Sequence, residues 1–125
     1  MKALMLTGRI LLGLIFVVFG LNGFLQFLHL PPLPDAAKAF FAGMAATGYM
    51  LPLLFAAQVL GGVLLLVGLV PLGLLILAPV IVNIVLFHIV LAPEGLPLAI
   101  VVALVEFLLA WAHRDAYAPL FGFGS

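Results

Sequence analysis

The sequence predicts an all-α integral membrane protein, a four-helix transmembrane bundle with a short interfacial helix between helices 1 and 2. The chain is 68% hydrophobic and only 6% charged, with a mean hydropathy of +1.52. A soluble domain carries about a quarter charged residues, which keep its surface hydrated. The chain also contains four long apolar runs, each close to the ~20 residues that a helix needs to cross a bilayer.

Length and composition exclude several classes of function. The 125 residues provide for one domain, residues 1–125. A formal net charge of zero offers no basic surface for nucleic acid. The absence of cysteine excludes thiol–disulfide chemistry and cysteine-ligated metal or iron–sulfur centres carried by this chain.

Proline and glycine delimit the four predicted spans, which cover residues 6–30, 49–70, 71–91 and 96–113. We expect the first span to be retained, because it is too long for a signal peptide and lacks a small-x-small cleavage site. Glycines of this span, including Gly13 and Gly20, would let another helix backbone approach closely. The short link from Gly68 to Pro71 predicts that the second and third spans form an antiparallel hairpin.

The residue pattern between 34 and 48 predicts a short helix that lies in the membrane interface and covers the bundle as a lid. Asp35 suits the N-cap position, and Gly48 suits the C-terminal stop. Its apolar side is formed by Phe40, Phe41 and Met44.

The distribution of basic residues predicts the orientation in the membrane. An even number of spans places both termini on one side, together with Lys2, Arg9 and Arg114. Lys38 alone lies on the other side. Because Lys and Arg are enriched in cytoplasmic segments, both termini are expected in the cytoplasm.

Polar residues within the spans are the candidate ligand-binding residues, since each is costly to place in a bilayer without a partner or a purpose. They are Asn22, Gln26, Gln58, Asn83, His88 and Glu106. In the predicted topology they lie near the middle or in the outer half of the bundle. We therefore expect them to converge, together with His29, on a polar cavity that opens toward the lid. The alternative is that these groups only form hydrogen bonds between helices.

Glu106 is the only acidic residue deep within a span. Small residues flank it along one stripe of the fourth helix, so we expect its carboxyl to point inward and to be protonated, hydrogen-bonded or paired. For His29 and His88 the simpler interpretation is an interfacial hydrogen bond, because no ligand-spacing motif predicts haem or a metal. No phosphate loop, nucleophile–base pair or metalloprotease motif is present, so no catalytic residue is assigned.

Several segments carry a resemblance to a known family. They are RILLGL at 9–14, FGLNGF at 19–24, TGY at 47–49 with Pro52, QVLGG at 58–62, LAPVIVNIVLFH at 77–88 and AWAHRDAY at 110–117. Together these segments resemble the DoxX-like family of small four-helix integral membrane proteins, and the Pro79–His88 run is the most specific part.

The resemblance implies an oxidoreductase component in a prokaryotic plasma membrane. The family name derives from a membrane component associated with quinone-linked sulfur oxidation in archaea. A quinone is therefore the ligand that the resemblance implies, together with a membrane redox partner. The resemblance supplies no set of catalytic residues to carry over.

Three functions remain open from the sequence. The first is a redox-associated accessory subunit that binds a quinone or similar lipid-soluble molecule, with Glu106 exchanging a proton and Gln58, Asn83 and His88 binding carbonyl oxygens. The second is a non-enzymatic scaffold or assembly subunit. The third is transport of a small solute or protons by a homo-oligomer, since four helices in one protomer leave only a narrow pathway.

Overall fold

The computed structural model of the chain describes residues 2–26 and 32–122, and all secondary structure within these ranges is helical. The helices are α1 (Lys2–Leu25), α2 (Asp35–Ala46), α3 (Met50–Leu66), α4 (Val70–Val90), α5 (Leu96–Ala112) and α6 (Arg114–Tyr117). Two 3₁₀ segments, Pro93–Gly95 and Ala118–Phe121, precede α5 and follow α6. The all-α prediction is confirmed.

Three helical segments are long and apolar enough to cross a membrane: α1, α4 and the segment Pro93–Ala112. At 17 residues, α3 is shorter, and it follows α2 after a bend of 97°. When α2 and α3 are counted together as one broken span, the number of candidate spans rises to four. The short helix predicted between the first two spans corresponds to α2.

The first helix ends earlier than the sequence indicated. α1 ends at Leu25, and Gln26 has a φ of 51°, which is left-handed backbone that a right-handed helix cannot continue through. Gln26 therefore lies beyond the end of this helix, although it was predicted within the first span. The remainder of the predicted span, with His29, lies outside the described residues.

The third helix also ends earlier, at Leu66 instead of residue 70. Gly68 has a φ of +97°, and its N–H donates a hydrogen bond to the Leu65 carbonyl. The N–H of Leu69 donates to the Leu64 carbonyl at 2.9 Å. This pair of bonds is the Schellman motif, which closes a helix at a glycine. The antiparallel turn into α4 follows directly.

The four long helices form a closed ring in the order α1, α3, α4, α5 and back to α1. A side chain added at Gly8 would contact Val105, so the start of α1 lies beside the end of α5. We call this the terminal end of the bundle; the opposite end, which carries α2, is the lid end. The largest fully buried side chains are Leu12, Leu65, Leu74, Leu77 and Leu109.

The α1 and α3 backbones touch at glycines. A Cβ at Gly62 would lie 2.7 Å from the Gly13 carbonyl oxygen and 2.9 Å from the Val17 nitrogen. A Cβ at Gly20 would lie 3.0 Å from the Phe55 carbonyl oxygen. Because the obstructing atoms belong to the backbone, no side-chain rotation could make room for a larger residue.

Replacing Gly62 by valine should therefore lower the free energy of unfolding by about 1–3 kcal/mol, the usual cost of overpacking. The helices α1 and α3 would have to separate to admit the new side chain. Denaturant unfolding of the purified protein, followed by circular dichroism, measures the loss. Gly43→Ala is the control, because nothing lies within 4 Å of a Cβ at that helical position. An equal loss in both variants would contradict the close contact.

Candidate functional site

A cavity of about 440 Å³ lies at the lid end, between α2 and the four-helix ring. All five longer helices contribute to its wall, as does Leu33 of the segment before α2. The aromatic lining residues are Phe16, Phe19, Phe40, Phe41, Phe55 and Phe87. The aliphatic lining residues are Ile15, Leu33, Met44, Leu54, Ile84, Leu98, Ala99 and Val102. The polar lining residues are Gln58, Asn83 and His88.

Aromatic contacts hold the lid helix α2 over the cavity. The Phe87 ring lies 5.6 Å from the Phe40 ring and 5.3 Å from the Phe41 ring, measured between centroids. The turn between α2 and α3 sets the direction of the lid. Thr47 Oγ1 accepts a hydrogen bond from the Met50 N–H at 3.1 Å, and Gly48 takes a φ of +80°. The two helices therefore meet at a sharp angle through a link of three residues.

The three polar side chains of the cavity come from two neighbouring helices. Gln58 of α3 is only 8% exposed, whereas Asn83 of α4 is exposed and marks the open part of the cavity. His88 follows Asn83 on α4 and is half-buried. Within the described part of the chain, no hydrogen bond satisfies any of these three side chains.

His88 is held in place by packing. Its ring lies 5.2 Å from the Phe87 ring in an edge-on arrangement. A Cβ at Gly95 would lie 2.8 Å from His88 Cε1, so the imidazole packs directly on the backbone of the turn before α5. Nδ1 of His88 is buried and has no hydrogen-bond partner within residues 2–26 and 32–122. A buried nitrogen of this kind is costly to leave unsatisfied, and a ligand group could supply its partner.

The other three candidate residues do not line the cavity. Asn22 is half-buried on α1 and has an interaction partner of its own, and Gln26 is exposed beyond the end of that helix. Glu106 is 9% exposed and points into the bundle four residues after Val102, about one turn closer to the terminal end. The structure therefore brings together Gln58, Asn83 and His88, and separates Asn22, Gln26 and Glu106 from them.

Further buried polar groups lie toward the terminal end of the bundle. Oε1 of Glu106 and Nε of Arg9 are both buried, and neither has a hydrogen-bond partner among the residues that the structure describes. Tyr117 of α6 packs against the core, and its hydroxyl donates a hydrogen bond of 2.7 Å to the carbonyl of Pro71. This bond ties the short helix α6 to the start of α4. No cluster of three or more His, Cys, Asp or Glu side chains suited to a metal occurs among the described residues.

The aromatic lining was only partly foreseeable. The grouping of Phe40, Phe41 and Met44 on one side of α2 was visible from their helical spacing, and all three line the cavity. The positions of Phe55 and Phe87 in the cavity wall could not be predicted from their spacing, because phenylalanines are spread throughout this apolar sequence.

Comparisons with models of known protein families, with curated proteins and with solved structures gave no match.

Tyr117 should make the stability of the fold fall at alkaline pH. Burial, and secondly the charge of Glu106, raise the pKa of Tyr117 above its ordinary value. The folded state thus favours the neutral phenol. The contribution of the Tyr117 hydroxyl to the free energy of unfolding is complete at a pH below its pKa in the unfolded chain, which is about 10. This contribution is lost as the pH rises through its pKa in the folded protein.

Tyr117→Phe should lower the free energy of unfolding by about 0.5–1.5 kcal/mol at neutral pH, since it removes the hydrogen bond to Pro71. The free energy of unfolding of the variant should also fall less at alkaline pH than that of the wild type, because the variant has no hydroxyl to ionise at this position. Unfolding curves measured between neutral and strongly alkaline pH test both effects. Tyr49→Phe, at the other and exposed tyrosine, is the control and should leave the neutral-pH value unchanged.

Proposed function

We propose that this chain is an integral membrane protein that spans the bilayer four times, with both termini in the cytoplasm. The proposal is supported by large apolar side chains on the outward faces of all four long helices, where water would be an unfavourable solvent. The proposal is also consistent with the lengths of three helical segments, which are α1, α4 and Pro93–Ala112. The position of Lys2, Arg9 and Arg114 toward the terminal end favours the orientation.

We infer that the protein binds a lipid-soluble ligand with a hydrogen-bonding ring in the cavity at the lid end. The observation that carries this inference is the convergence of Gln58, Asn83 and His88 on an otherwise apolar cavity, with His88 Nδ1 buried and without a hydrogen-bond partner in the described part of the chain. An apolar pocket with a few polar groups is the usual form of a small-molecule site, in which the polar groups orient the ligand. The aromatic wall suits a planar ring.

A quinone is the ligand class that we propose. Its ring is planar, its two carbonyl oxygens accept hydrogen bonds, and its isoprenoid tail is apolar. The amide groups of Gln58 and Asn83 can donate to a carbonyl oxygen, and His88 can donate from whichever ring nitrogen carries the proton. The resemblance to the DoxX-like family favours the same ligand class. In this role the chain is an accessory subunit that holds the quinone for a separate membrane redox partner.

A scaffold role is the second candidate, and the placement of Asn22 and Glu106 favours it. Neither side chain lines the cavity, and Glu106 is buried within the bundle, where polar groups contribute roughly 0.6–2 kcal/mol to helix association. In a scaffold, substitutions at the cavity would alter only stability or assembly. A ligand-binding protein would instead lose binding while it remained folded.

Binding of a short-tailed quinone to the purified protein in nanodiscs tests the proposal, with calorimetry as the readout. We expect saturable binding that Asn83→Leu and His88→Leu each weaken about two- to tenfold, the effect of one lost hydrogen bond. Glu106→Gln should leave the affinity unchanged, because Glu106 does not line the cavity.

Ala99→Phe should abolish quinone binding, since Ala99 is buried in the cavity wall and the new ring would occupy the ligand space. Ala56→Phe is the matched control, because it adds the same bulk at an exposed position of α3. Circular dichroism must show that both variants are folded. Quinone binding that is absent in wild type, or equal in wild type and folded Ala99→Phe, would refute the proposal.

A further inference from the structure

A second concave surface, of about 410 Å³, lies at the terminal end and shares no residue with the cavity under the lid. We call it the terminal groove. It is lined by Phe107, Ala110, Trp111, Arg114, Asp115, Tyr117, Ala118 and Phe121. It thus runs along the last two turns of α5 and across the segment that follows.

The wall of the terminal groove is aromatic and faces outward. The rings of Phe107 and Trp111 stack with centroids 6.5 Å apart and planes inclined by 16°. Phe107 is 63% exposed and Trp111 60% exposed, and Phe121 across the groove is 71% exposed. Trp111 is the penultimate residue of the span-length segment Pro93–Ala112, which is the depth where tryptophan meets lipid head groups.

Two opposite charges lie in the groove where the helix ends. The Arg114 guanidinium carbon sits 4.9 Å from the centroid of the Trp111 ring, and its Nη1 donates a 2.9 Å hydrogen bond to the Trp111 carbonyl. These contacts orient the guanidinium and leave its other donors unused. Asp115 is adjacent and also exposed. No ion pair joins either side chain to another residue in the described ranges.

We propose that the terminal groove binds an aminophospholipid, whose head group carries both a phosphate and a primary ammonium. The phosphate oxygens accept hydrogen bonds from Arg114, and the ammonium donates to the Asp115 carboxylate. An acyl chain lies along the stacked rings of Phe107 and Trp111.

The primary ammonium distinguishes this lipid from its common alternatives. It offers three N–H donors to a carboxylate, whereas the quaternary ammonium of phosphatidylcholine offers none. A purely anionic head group such as phosphatidylglycerol also matches Arg114. The phosphatidylglycerol head group places no cation beside Asp115, so the negative charge of Asp115 would repel its phosphate. The pair of charges therefore selects a zwitterion with a small cationic group.

The only tryptophan in the chain is Trp111, so its fluorescence reports on this groove alone. The full chain would be reconstituted into phosphatidylcholine bilayers that contain one brominated lipid at a fixed mole fraction. Brominated phosphatidylethanolamine, phosphatidylglycerol and phosphatidylcholine would be compared, because bromine quenches tryptophan on contact. We expect phosphatidylethanolamine to compete about fivefold better than phosphatidylcholine, the effect of one interfacial charge contact of about 1 kcal/mol.

Charge variants separate the two head-group contacts. Asp115→Asn should lower the quenching by brominated phosphatidylethanolamine to that by phosphatidylcholine, because the ammonium loses its partner. It should raise the quenching by phosphatidylglycerol, because the opposing negative charge is gone. Arg114→Gln should weaken the phosphate contact that all three lipids share, so it should lower the quenching by anionic phosphatidylglycerol relative to phosphatidylcholine and keep the advantage of phosphatidylethanolamine that Asp115 provides. Lys2→Gln is the matched control, since it removes a cation from the same end of the bundle outside the groove. It should leave the order of the three lipids unchanged.

Three results would overturn the proposal. Equal quenching by the three brominated lipids would mean that the groove is an unselective lipid contact. Strongest quenching of the wild-type protein by phosphatidylglycerol would indicate a site for anionic lipid. Weak quenching by every lipid, increasing as the protein is diluted in the bilayer, would show that a second copy of the chain covers the groove.

Discussion

The contact between the α1 and α3 backbones is the constraint from which the shape of the bundle follows. Gly13 and Gly20 on α1 allow the two helices to touch, whereas Phe16 and Phe19 of the same helix, which line the cavity, are large. Gly23 leaves room for the ring of Phe55, which also packs edge-on against Phe24 at 6.0 Å. The ring of helices is thus tight where glycines meet and hollow where phenylalanines line it. The cavity under α2 is the result of this gradient in side-chain size.

The buried polar groups divide between the two ends of the molecule, and their surroundings differ. At the lid end, Gln58 and His88 border open space, so a molecule entering the cavity could satisfy them. At the terminal end, Glu106 is enclosed by packed helices between Val102 and Leu109. A group that cannot be reached by a ligand affects stability and packing instead. Depth within the bundle therefore separates two kinds of polar residue that look alike in the sequence.

Helical periodicity predicted which side of a helix a residue lies on much better than it predicted how far along the bundle the residue lies. It placed Glu106 on the inward side of α5, and it grouped Phe40 and Phe41 on the side of α2 that faces the cavity. Depth depends on where each helix ends, and those ends are set by single backbone conformations. The positive φ of Gln26 accompanies the early end of α1 and leaves that residue outside the helix in which it was predicted. A non-glycine residue in this conformation has no reliable sequence signal, whereas Gly68 could have indicated the end of α3.

The bend of 97° between α2 and α3 determines how a molecule would reach the cavity. In the proposed membrane setting, α2 lies across the lid end, so the direct path from water crosses the Phe40–Phe41–Phe87 cluster. We expect entry instead beside the exposed Asn83 of the cavity wall, from the hydrocarbon. A hydrophobic ligand is already concentrated there by partitioning. The relevant concentration is then that in the bilayer, and a modest intrinsic affinity is enough to keep the site filled.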